Sequence, residues 1–63
     1  MDEITKTLHN MSEQLATAIN DAEKFDAGNN SAGTRVRKAM QNIKGLAQHV
    51  RLEVQEQKNS VTA

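Results

Sequence analysis

Apolar positions recur along this chain at helical spacing, in two separate stretches. In the first they fall at Ile4, Leu8, Met11, Leu15, Ala18, Ala22 and Phe25, in steps of four and three without a miss. A heptad stripe of this kind occupies one narrow side of an α-helix and calls for another helix against it. Ile19 widens it on one flank. Asp2 is the expected N-cap, and Asp2 and Glu3 put negative charge where the first turn has unpaired N–H groups. The spacing predicts a helix from about Glu3 to Phe25, roughly 34 Å long at the usual rise per residue.

The second stretch carries Val36, Met40, Ile43, Ala47, Val50 and Val54, again in steps of four and three. Ala32, Ala39 and Leu46 broaden that stripe. A helix is predicted from about Ser31 to Lys58, with residues 59–63 fraying. Between the stretches lies Asp26-Ala-Gly-Asn-Asn30, a turn. Gly28 suits the left-handed residue that ends a helix, and Asn30 or Ser31 is expected to cap the next one. So short a connection makes the helices antiparallel neighbours. Gly33 falls on the seam near the turn, where the first helix is expected to approach closely. Gly45 falls on the outer face, with no reason visible in the sequence.

The fold class that follows is all-α: an antiparallel two-helix hairpin spanning 1–63 as one domain. A chain of 63 residues seldom buries enough apolar surface to stand alone. The second stripe is also wider than one partner helix covers. Both arguments predict a homodimer closing into a four-helix bundle of coiled-coil character.

Composition narrows the chemistry. The chain has no Cys and no Pro, and Phe25 is its only aromatic ring besides histidine. There is therefore no disulfide framework, no cysteine zinc site and no aromatic platform for stacking single-stranded bases. His9 and His49 stand alone on different helices, and no serine has an activating base beside it. No phosphate loop or dinucleotide fingerprint occurs. The expectation is a protein without enzymatic activity, metal, cofactor or small-molecule substrate. No apolar run reaches the length of a membrane span and Met1–Thr7 is not a signal peptide, so a cytoplasmic protein with no membrane role is expected.

Charge is where function shows. The formal net charge is zero. Yet residues 1–26 hold six acids and two bases, a net −4, and residues 31–58 hold six bases and two acids, a net +4. Within the second half, Arg37, Lys44, Arg51 and Lys58 follow one another at seven-residue intervals, with Gln41, Gln48 and Gln55 between them and no acid interrupting. A row of cations and amides on one flank of a helix suits an anionic polymer. Arg35 and Lys38 flank it. These six residues, Arg35, Arg37, Lys38, Lys44, Arg51 and Lys58, are the candidate DNA-binding set.

From Ala22 to Lys58 the chain resembles the bacterial linker-histone-like family, the chlamydial type of histone-like nucleoid protein. The resemblance rests on Ala22-Glu23-Lys24 before the turn, Gly28-Asn29 in it, Ser31-Ala32-Gly33 after it, the Arg35-Val36-Arg37 triplet, and the spaced Lys44, Arg51 and Lys58. It implies a non-enzymatic protein that compacts DNA in the nucleoid. Typical members continue into a Lys-, Ala- and Pro-rich tail, and these 63 residues hold no such segment. Binding is expected to be sequence-independent, since phosphate contacts carry no base information. Four neutralised phosphates per hairpin would give a slope of log K on log salt near about −3.6. The competing reading is a structural or protein-interaction hairpin in which the basic row faces acids of a partner and DNA is irrelevant.

Overall fold

Two helices and one tight turn make up the described residues. The computed structural model describes residues 3–62, with side chains through Asn59. Helix α1 spans Glu3–Asp26 and helix α2 spans Asn30–Thr62, and no strand occurs among the described residues. Helix α1 begins with Glu3 and ends near Lys24, charges that suit the two ends of a helix dipole. The proposed cap at Asp2 lies outside the described residues. Helix α2 runs past Lys58, where its end was expected, because residues 59–62 contain neither Gly nor Pro to stop it.

The turn closes by backbone hydrogen bonds. The Gly28 N–H donates to the Phe25 carbonyl at 2.9 Å, and the Asn29 N–H donates to the Lys24 carbonyl at 3.0 Å. This pair of bonds is a Schellman cap, which needs a left-handed residue between them. Gly28 supplies it, with φ at +106°. Asn29 then serves the next helix. Its side-chain oxygen accepts from the Ala32 N–H at 3.3 Å and from the Ser31 hydroxyl at 2.8 Å. The N-cap of α2 is therefore Asn29, and not Asn30 or Ser31 as expected. One residue finishes the first cap and starts the second, so the reversal takes only three residues outside the helices.

The helices close on their small residues. Ala18 and Ala32 are the two buried residues among those described. Gly33 sits under the Phe25 ring so closely that a Cβ there would lie 2.6 Å from two ring carbons. The contact face of α1 consists of Ile4, Thr7, Met11, Gln14, Ala18, Asp21 and Ala22. On α2 it runs through Ala32, Val36, Ala39, Ile43, Leu46, Val50 and Glu53. Both faces are turned by part of a helical step from the predicted seams. Small side chains let the backbones approach, and the polar residues drawn into the seam are satisfied locally. The Thr7 hydroxyl donates to the Glu3 carbonyl at 3.0 Å, and the Gln14 amide donates to Asn10 at 3.1 Å.

The rotation leaves part of each predicted stripe uncovered. Leu8, Leu15, Ile19, Met40 and Val54 remain between 40% and 52% exposed. In an antiparallel pair the helical phase advances in opposite senses, so these side chains open onto the same broad face of the hairpin. The opposite face is polar.

Candidate nucleic-acid interface

Both faces matter because the basic residues of α2 divide between them. Residues two apart on a helix point about 200° from one another. Arg35 and Lys38 consequently lie on the polar face, beside Gln14, Thr17 and Asn42 in a shallow groove. The Arg35 Nε–H donates to the Asp21 carboxylate at 2.9 Å, across the two helices. Asp21 is mostly covered, with 13% of its side chain exposed, while Arg35 keeps 47%. Arg35 thus helps to hold the hairpin together.

The seven-residue row takes the other side. Arg37 stands at the rim of the apolar face, beside a groove of about 460 Å³ floored by Ala22, Phe25, Gly33 and Val36. Lys44, Arg51 and Lys58 follow it along the outer edge of α2, all exposed. Successive members are about 10 Å apart along the axis. No carboxylate lies within ion-pair distance of Arg37, Lys44 or Arg51 among the described residues, and the same holds for Lys38. Gln41, Gln48 and Gln55 are exposed among them. Of the six candidates, then, four share one edge, and Arg35 and Lys38 do not join them.

The acids of α1 make no ion pair with that edge among the described residues, although Asp26 lines the same groove as Arg37. Asp21 points to the polar face and is taken by Arg35. Glu23 and Asp26 are exposed near the turn, with no ion pair among the described residues. The arrangement that would have occupied the basic row, acids of the first helix set against it, does not occur within one hairpin. Sequence reasoning missed Asp21 as a structural partner. The signal was available: Asp21 and Arg35 lie at matching distances on either side of the turn.

The rest of the surface offers little for bond-making. Among the described residues no three of His, Cys, Asp and Glu gather in a way that would hold a metal ion. No described helix is long and apolar enough to cross a membrane. His9 and His49 are exposed on different helices.

A family model for histone H1-like protein Hc1 matches residues 5–60, nearly the whole hairpin. The chain belongs to the histone H1-like Hc1 family. No curated protein and no solved structure matches it significantly. The Hc1 match covers both helices and the turn, so the acidic α1 and the basic edge of α2 are both inside the family unit.

Proposed function

We propose that this Hc1-family hairpin is a non-enzymatic DNA-binding protein of the bacterial nucleoid, holding duplex DNA by its phosphates and assisting its compaction. One observation carries the reading: Arg37, Lys44 and Arg51 repeat along one edge of α2, and none of them is in an ion pair with a carboxylate among the described residues. Lys58 extends the row. Phosphates are the ligand such a row suits, and the intervening glutamines add hydrogen-bond donors for phosphate or sugar oxygens. Nothing in this edge reads base identity, so binding is largely independent of sequence. Arg35 and Lys38, on the polar face, are not part of this grip.

The uncovered apolar face supports self-association as a homodimer, since a hairpin with five half-exposed Leu, Ile, Met and Val side chains on one face gains by pairing it. The competing reading, a structural module without DNA, makes the row a protein contact.

Charge reversal separates the two. Arg37→Glu with Lys44→Glu should abolish duplex binding while sedimentation still reports the oligomer of the parent protein. Arg35→Gln with Lys38→Gln should leave duplex affinity within about threefold, as removing contacts that are not made changes little. Retained binding in the first variant, or loss of the oligomer with it, contradicts the proposal.

A further inference from the structure

The groove of about 460 Å³ at the turn end brings together groups that the phosphate row does not use. Phe25, the single Phe of the chain, lies along it. Asp26, Asn30, Thr34 and Arg37 stand around the ring. All four are exposed, and none of their side chains has a hydrogen-bond or ion-pair partner among the described residues. Thr7 and Thr17 turn their hydroxyls back onto the carbonyls four residues earlier, as helical threonines commonly do. Thr34 is also helical and does not, so its hydroxyl is left to the groove. We propose that this groove takes one unpaired nucleobase of the bound DNA, stacked on Phe25 while the adjoining phosphate rests on Arg37. This deepens the phosphate-row reading and rests on it.

The ring is held where a base needs it. Its Cδ1–Cε1 edge sits so close over Gly33 that a Cβ there would lie 2.6 Å from both atoms. A side chain at position 33 would lift the ring from this seat. With glycine there, the α2 backbone fixes one edge, and 49% of Phe25 stays exposed. An apolar ring half open to water gains from a flat partner, and every base has a flat face. One ring cannot follow a single strand along its length, but it can hold one base.

Charge at this point favours a base over a phosphate. Lys44 and Arg51 have no carboxylate partner among the described residues, whereas at the groove Asp26 joins Arg37. A phosphate placed between those two is attracted by one and repelled by the other. A nucleobase is neutral, and its edge carries both N–H and C=O groups. The Asp26 carboxylate can accept a base N–H, and the Asn30 amide and Thr34 hydroxyl each donate and accept. Asp26 also ends α1, where the helix dipole disfavours an anion, and a base N–H supplies the donor it lacks. All four bases offer an N–H, so the groove selects an unpaired base without selecting its identity.

Continuity brings the base within reach. Arg37 is both the first cation of the row and a wall of the groove. A strand whose phosphates follow Arg51 and Lys44 therefore arrives at the groove with its next nucleotides. In an intact duplex those bases are paired and stacked, and extruding one costs free energy. At a bulge the base is already unpaired, and most of that cost is absent. The hairpin should therefore favour duplexes that carry a bulged base.

Three DNAs test this by fluorescence anisotropy with the intact chain: a perfect duplex, the same duplex with a one-nucleotide bulge, and that bulge with its base removed. The bulged duplex should bind about tenfold tighter than either of the others, the scale of one base–aromatic stack. Equal affinity for all three overturns the base site and leaves the phosphate reading standing. The same gain for the abasic bulge assigns the preference to a bent backbone and also overturns it. No binding to any of them at about 20 mM salt overturns the phosphate reading and the base site together. Phe25→Leu, checked for unchanged helicity, should bind the three DNAs within about twofold of one another, since the stack is lost. A bulge preference that survives Phe25→Leu contradicts the proposal. In the unmodified chain, irradiation with 5-iodouracil as the bulged base should cross-link to Phe25. A link that maps only outside the groove contradicts it as well.

Discussion

Three single residues show how local chemistry sets this hairpin. The Asn29 side chain accepts the Ala32 N–H in the first turn of α2, while its own N–H completes the cap of α1. Asn29→Ala should cost about 1 kcal/mol, the usual value of a lost N-cap. Gly33 and Gly45 are both helical glycines with opposite roles. A Cβ at Gly45 meets nothing within 4 Å, so Gly45→Ala should stabilise the fold by about 1 kcal/mol through helix propensity alone. A Cβ at Gly33 meets the Phe25 ring at 2.6 Å. There Gly33→Ala should destabilise by about 1 kcal/mol, overpacking outweighing propensity. In a Phe25→Ala background the same change should become stabilising, because the obstacle is gone. Thermal melts by circular dichroism at fixed protein concentration read all three, and a Gly33 effect that ignores Phe25 would refute the contact.

At the level of the element, the heptad pattern announced both helices and their antiparallel pairing, and the Gly28 turn was plain from its composition. The pattern did not reveal which part of each stripe the partner helix covers. That choice depends on side-chain size: Ala18, Ala32 and Gly33 admit a close approach, and Leu8, Leu15 and Met40 do not. Spacing alone treats all apolar residues as equal. The site was half legible for a similar reason. A seven-residue repeat keeps Arg37, Lys44 and Arg51 on one edge whatever the partner does, whereas the placement of Arg35 depends on what lies across the seam. Its bond to Asp21 is partly exposed, so Arg35→Gln should change stability by no more than about 1 kcal/mol. A much larger loss in thermal unfolding would show that this pair contributes far more to the hairpin than its exposure implies.

For the whole molecule, zero net charge conceals a division of labour. The acids of α1 near the turn and the cations of α2 do not neutralise each other within the hairpin, and the one cross-helix ion pair among the described residues sits on the face away from the basic row. An Hc1-family hairpin of this design presents a cationic edge bordered by an apolar face, which we propose serve phosphate and another copy respectively. The most direct test of the account is the salt dependence of duplex binding by the intact chain, followed by fluorescence anisotropy. With Arg37, Lys44 and Arg51 each neutralising one phosphate, log K should fall against log salt with a slope near about −2.7 per hairpin, identically for unrelated duplex sequences. Absence of binding at about 20 mM salt, where screening is weak, would contradict the account.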